Sequence, residues 1–159
     1  MILKDTRKQY GLTQKEAADI ADVPLRTYVR YEKDEAYGNV LIRHGIVNKI
    51  NDRCEITERK GILTIKQISS AINEVIKDEY SDSIDLCYLF GSYAKGYATE
   101  TSDVDLCVST TLTGLNFVGL SESIRSKLHK KIDLVRLSNL NNNLPLLKEI
   151  MKDGIKIYS

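Results

Sequence analysis

Two aspartates stand one residue apart in "SDVDLCV", residues 102–108, and a third lies in "KIDLV", residues 131–135. Alternate side chains of an extended strand share a face, so Asp103 and Asp105 point one way while Val104, Leu106 and Val108 point the other. Carboxylates so placed repel, and one retains its proton unless a cation removes the conflict. Mg²⁺, a hard and doubly charged ion, is suited to such an oxygen-rich spot. The same alternation sets Asp133 on the face opposite Ile132 and Leu134, free to join the pair if its strand neighbours that of Asp105. Three carboxylates on adjacent strands suit a one- or two-metal site for phosphoryl or nucleotidyl transfer. Just upstream runs "GSYAKGYATET", residues 91–101, where Gly91 lets the backbone approach a ligand. Exposed N–H groups there, with the Ser92 hydroxyl, can hold phosphate oxygens. Loop and carboxylates together describe a site for a metal-bound nucleoside triphosphate.

The elements that must position these groups follow from periodicity. Ile65, Ile68, Ile72, Val75 and Ile76 fall at helical spacing, ending near Glu79. "SIDLCYLFGS" and "SDVDLCVS" read as strands, "LNFVGLSESIRSKLHKK" as a helix and "KIDLVRL" as a third strand. "LPLLKEIMKDG" is a helix stopped by Gly154, and "IKIYS" a short terminal strand. Strands alternating with helices give an α+β or α/β sheet with helices packed on it.

The first third of the chain differs. "LKDTRKQY" is a helix stopped at Gly11, and "TQKEAADIA" a second one, with Thr13 and Glu16 at the spacing of a capping box. "PLRTYVRYEK" is a third, with Pro24 suited to its first turn. Leu12, Ala17, Ile20, Val23, Tyr28 and Tyr31 converge on a small core. Residues 36–61 are expected to form a connecting helix and linker, with dimerisation as a second use. The expected division is therefore an all-α domain over residues 1–35, the connection over 36–61, and a domain over 62–159.

The 159 residues, 42% hydrophobic and 28% charged, suit one ordinary domain or two small ones. No apolar run approaches a membrane span and no signal peptide is evident, so a cytoplasmic location without membrane attachment is expected. Cys54, Cys87 and Cys107 are too scattered for a disulfide framework, and Cys87 and Cys107 read as buried strand thiols. Residues 1–60 carry 12 Lys and Arg against 10 Asp and Glu, so charge alone does not announce nucleic acid. His44 and His129 have no partner at metal-ligand spacing. "LHKK", residues 128–131, reads as a solvated helix end from which Lys130 or Lys131 could reach a triphosphate.

Gly91-Ser92, Gly96 and Ser102-Asp103-Val104-Asp105-Leu106 resemble the G-S-x(3)-G-x(5)-S-D-x-D-L signature of the DNA polymerase β-like nucleotidyltransferases, in their minimal, MNT form. The resemblance spans roughly residues 62–159; Lys95 stands where Arg is frequent, keeping the charge without the bidentate fork. It implies a mixed sheet with packed helices, ATP as substrate and Mg²⁺ as cofactor. Asp103, Asp105 and Asp133 would hold metal and serve catalysis, Asp133 by activating the acceptor hydroxyl. Gly91, Ser92, Lys95, Gly96 and Ser102 would hold the nucleotide. Minimal members commonly serve as antitoxins of HEPN-type ribonuclease toxins, some by adding AMP to a toxin tyrosine, so such a toxin is the implied partner within an oligomer or hetero-complex. The alternative is a non-catalytic antitoxin on a relic fold.

"LTQKEAADIADVPLRTYVRYEKD" resembles the helix-turn-helix of the Xre/Cro/C1 repressors, although Asp22 stands where glycine is usual and Pro24-Leu25 replaces a polar helix start. The match implies that Gln14, Arg26, Thr27, Tyr28 and Arg30 face a major groove, Arg26 and Thr27 toward base edges and Arg30, Lys15 and Lys33 nearer to phosphates. Operator DNA and repression of its own operon follow as expectations.

Overall fold

A computed structural model gives the structure of residues 2–159, which divide between Glu55 and Ile56 into two compact units. The fold is α+β: helices alone in the first unit, a four-stranded mixed sheet with helices in the second.

The first unit holds α1 (Ile2–Gln9), α2 (Gln14–Ala21), α3 (Leu25–Lys33) and α4 (Val40–Cys54). Helix α2 begins with the reciprocal cap that its sequence encodes: Thr13 Oγ1 accepts from the Glu16 N–H at 3.2 Å, and Glu16 Oε2 accepts from the Thr13 N–H at 2.7 Å. It ends at Asp22, whose φ of 58° places a non-glycine residue in the left-handed region, which a short polar side chain tolerates best. Pro24 is the residue that caps α3 rather than its first helical position. The core comprises Leu3, Ala17, Ala18, Ala21, Tyr28 and Tyr31, joined by Ile46, Val47 and Ile50 of α4.

Helix α4 is therefore part of this unit, where the sequence reading has a connection over residues 36–61. Three short helices present too little apolar surface to bury one another, and the stripe of Ile46, Val47 and Ile50 supplies the rest. The Arg43 guanidinium fastens the approach to α4, donating to the carbonyls of Asp34, Glu35 and Tyr37. Across the unit Arg7 forks onto Glu32 through Nε at 2.8 Å and Nη2 at 2.9 Å, and Gln14 Nε2 adds a bond of 3.0 Å to Glu32 Oε1.

The second unit holds α5 (Ile65–Val75), which runs into a π-helical turn at Ile76–Tyr80, then β1 (Ile84–Phe90) and α6 (Gly91–Lys95). There follow β2 (Val104–Thr110), α7 (Gly114–Leu128), β3 (Ile132–Arg136), a 3₁₀ turn at Leu137–Asn142, α8 (Leu144–Asp153) and β4 (Ile155–Tyr158). Strand order is β3-β2-β1-β4; β1 runs antiparallel to β2 and β4, and β2 runs parallel to β3. The parallel pair requires a long crossover, which α7 provides.

Strand alternation divides the apolar residues between two faces. Val104, Leu106 and Val108 pack with Ile68, Ile72 and Ile76 and with Leu120, Ile124 and Leu128 of α7. Cys107 joins Phe90, Leu140 and Ile150 in a separate cluster. Cys87 and Cys107 are buried thiols. Among the described residues no helix is long and apolar enough to cross a membrane.

Candidate active site

The site grows from the ends of β1, β2 and β3. Strand β1 pairs its last residue, Phe90, with Asp105, and the chain then turns at Gly91 into the single helical turn of α6. Gly91 has φ +69° and lies flat against the Asp105 side chain: a Cβ there would sit 2.8 Å from Asp105 Cγ and nearer still to Oδ2. Both the backbone angle and the space demand glycine. The small-residue loop and the carboxylate face are thus in direct contact.

Asp105 is the register partner of Asp133 across the parallel β2–β3 pair, which settles that these strands are neighbours. Partners in register share a face, so the two carboxylates emerge side by side. Asp103 immediately precedes β2; its side chain is 42% exposed, with Oδ2 at 3.7 Å from Lys131 Nζ. Asp103 and Asp105 are both half-buried, whereas Asp133 is exposed. Burial, followed by the nearby carboxylates of Asp133, Asp103 and Glu149, pushes the Asp105 acid up to about 6.

The mutual repulsion is what a bound cation would relieve. A half-buried carboxylate facing three others gains when a divalent ion joins them, and the all-oxygen donor set matches Mg²⁺. Among the described residues no three His, Cys, Asp or Glu side chains already stand at metal-holding spacing. The arrangement fits an ion that keeps part of its shell for substrate phosphates and water, as Mg²⁺ commonly does.

The remaining nucleotide candidates divide. The first N–H groups of α6, at Gly91 and Ser92, belong to a helical start and lack acceptors within the helix. Ser92 offers its carbonyl to the N–H groups of Gly96 and Tyr97 at 3.0 and 3.1 Å, which closes the loop with Gly96 at φ +83°. Lys95 Nζ lies 2.6 Å from Glu149 Oε1 on α8. The Ser102 hydroxyl accepts from the Thr99 N–H at 2.8 Å and so braces the turn before Asp103.

Two residues near the site escape sequence reasoning. Glu149 faces both Lys95 and Asp105 from α8, and only the packing of that helix puts it there. Lys130, expected at a solvated helix end, is 0% exposed, and its ammonium bonds the carbonyls of Glu100 at 2.6 Å and Lys60 at 3.2 Å.

In the first unit Arg26 and Arg30 are exposed and Thr27 is half-buried on α3. Arg30 lays its guanidinium 5.8 Å from the Tyr37 ring centroid. Tyr28 lies in the core, as its spacing with Tyr31 predicts, and not at the groove that the resemblance implies. It is 0% exposed in the core against Ala17 and Ile50, because positions 28, 31 and 32 form the inward stripe of α3, so it does not face a groove. Gln14 is held by Glu32.

Comparison with known proteins agrees with both units. The family described as polymerase beta, nucleotidyltransferase matches residues 70–159, and the helix-turn-helix family matches residues 3–37. Two relatives from Methanocaldococcus jannaschii are named as inferred protein adenylyltransferases. One is 29% identical over 100 residues, covering 60% of this chain and 96% of the relative. The other is 31% identical over 98 residues, with the same coverage of 60% and 96%. Among solved structures, a toxin–antitoxin crystal structure with AMP-PNP is similar at TM-score 0.50 and 26% identity, over 57% of this chain and 73% of that one. A tri-AMPylated Shewanella oneidensis HEPN toxin in complex with MNT antitoxin is similar more loosely, at TM-score 0.46 and 23% identity, over 59% and 71%.

Proposed function

This chain belongs to the polymerase β nucleotidyltransferase family, and on that premise we propose that it transfers AMP from ATP to a tyrosine hydroxyl of a HEPN-type ribonuclease toxin and so neutralises it. The observation that carries the reading is the register pairing of Asp105 with Asp133, with Asp103 two residues away and Gly91 packed against Asp105. The adenylyltransferase relatives support protein as the acceptor class, and the toxin–antitoxin likeness with AMP-PNP supports the adenine nucleotide and the antitoxin role.

Asp103, Asp105 and Asp133 would hold Mg²⁺, which supplies charge neutralisation for the triphosphate and polarises the α-phosphate. The N–H groups of Gly91 and Ser92 would orient phosphate oxygens, as preorganised donors do without reorganising during reaction. Lys95, now paired with Glu149, would shift its charge onto the nucleotide. Asp133 is the most solvent-accessible carboxylate of the trio and would take the proton of the incoming hydroxyl. The acceptor oxygen then forms a bond to the α-phosphorus, the α–β bridging P–O bond breaks, and pyrophosphate departs.

For the first unit we propose operator DNA as ligand, read by Arg26 and Thr27 with Arg30 on phosphate, and repression of the protein's own operon. The whole reading is tested by incubating the chain with a HEPN partner, ATP and Mg²⁺ and weighing the partner intact. One added adenylyl group on a tyrosine, abolished by Asp103→Asn, is expected. A partner of unchanged mass that is nevertheless neutralised would refute catalysis.

A further inference from the structure

Lys130 is 0% exposed, a placement that an ammonium group rarely occupies without an assigned task. It follows α7 and precedes β3, and its Nζ reaches two backbone carbonyls, Glu100 at 2.6 Å and Lys60 at 3.2 Å. Burial lowers its affinity for the proton, so these bonds offset the loss of hydration.

Both carbonyls belong to segments that meet beside the site. Residues 99–102 form a tight turn in which the Ser102 N–H donates to the Thr99 carbonyl at 3.1 Å and the Thr99 N–H to Ser102 Oγ at 2.8 Å. Asp103 follows directly. Lys60 closes the small bridge with Thr57, and the next residue, Gly61, donates its N–H to Glu100 Oε1 at 3.2 Å. Glu100 is thus gripped twice, by its carbonyl and by its carboxylate. On the far side of Asp103, the Val104 N–H donates to the Lys131 carbonyl at 2.9 Å. Asp103 therefore lies between two anchors supplied by consecutive lysines: the side chain of Lys130 on one side and the backbone of Lys131 on the other.

We propose that Lys130 is a positioning residue, which clasps the Thr99–Ser102 turn to Lys60 and thereby fixes where Asp103 presents its carboxylate. The ammonium does not touch nucleotide; it acts through Glu100. The proposal rests on the reading of Asp103 as a metal ligand, and the test separates the two.

In the full chain, Lys130→Met keeps the length and apolar stem and deletes the donors. Amide exchange at Gly61, Ser102 and Val104 should speed by about tenfold or more, the weight of a lost charged hydrogen bond, while amides of β1 keep their protection. Retention of Mn²⁺ in the presence of AMP-PNP, read from the free-ion resonance signal, should weaken by about tenfold, with a smaller change in the thermal midpoint than in ion retention. An unaltered chain that retains no Mn²⁺ sinks the site reading and this proposal with it. An unaltered chain that retains Mn²⁺ beside a folded Lys130→Met that retains it equally sinks the proposal alone, whatever the exchange at the turn. Should Lys130→Met not fold, Lys130→Arg keeps charge and donors and is expected to hold Mn²⁺ as the unaltered chain does; loss of the ion in folded Lys130→Arg overturns the proposal.

Discussion

Gly91→Ala separates the contact on which the site is built from the backbone conformation that accompanies it. The new Cβ would stand 2.8 Å from Asp105 Cγ, and the carboxylate oxygen nearer still. Ordinary carbon–carbon contact lies at about 3.5–4.0 Å, so the Asp105 carboxylate, the Gly91 backbone or both must move by about 1 Å. A displacement of about 1 Å among reacting groups costs on the order of 100-fold in rate. Alanine at a φ of +69° also strains the fold by about 1–2 kcal/mol. Gly114→Ala is the control: its φ is +55° and its Cβ meets nothing within 4 Å. Both variants should lower the thermal midpoint of the second unit by about 5–10 °C. Only Gly91→Ala should lose AMP transfer, measured as initial rates with label on the α-phosphate at saturating Mg²⁺. Equal activity in the two variants would refute the contact between loop and carboxylate as the organising feature of the site.

Other outcomes follow from the same geometry. Asp105 ionises at about pH 6 in the fold, above the ordinary carboxylate range, so its contribution to metal-free stability is full below about pH 4 and is lost as pH rises through about 6. Asp105→Asn should therefore raise the metal-free midpoint at pH 8 by the equivalent of about 1 kcal/mol, a figure discounted for partial hydration, while abolishing transfer. In the unaltered chain Mn²⁺ retention should weaken as pH falls below about 6, because the proton competes for Asp105. Glu32→Gln removes the charge beneath the Arg7 fork and should destabilise α1–α4 by about 3 kcal/mol, read as faster amide exchange there with β1–β4 unaffected. Arg26→Ala should weaken operator binding by about 1–3 kcal/mol in a gel-shift titration and leave AMP transfer unchanged.

The parts of this structure that local chemistry dictates can be read from the sequence. Thr13 and Glu16 announce the start of α2, and the alternation in "SDVDLCV" separates the acidic face of β2 from its apolar one. Asp133 could be placed on a strand face but not beside Asp105, because strand order depends on pairing between residues far apart in the chain; the parallel β2–β3 register supplies that fact. The role of α4 is hidden for a related reason. Its stripe of Ile46, Val47 and Ile50 suits a core without saying whose. Tyr28 carries two incompatible expectations, a core position from its spacing with Tyr31 and a groove-facing one from the resemblance to a recognition helix, and burial on the inward stripe of α3 settles it for the core. Lys130 and Glu149 leave no local trace. A lysine after a helix is usually solvated, and only the meeting of residues 60 and 100 over Lys130 makes it a buried anchor.

The central claim is that charge from two neighbouring strands gathers one divalent ion and the phosphate chain of a nucleotide. Crystals of the full chain grown with AMP-PNP and Mn²⁺, recorded at a wavelength where manganese scatters anomalously, test it directly. An anomalous peak coordinated by Asp103 and Asp105, with the triphosphate over Gly91 and Ser92, is the expected result. Nucleotide bound elsewhere, or full occupancy of AMP-PNP with no manganese against those aspartates, would contradict the account.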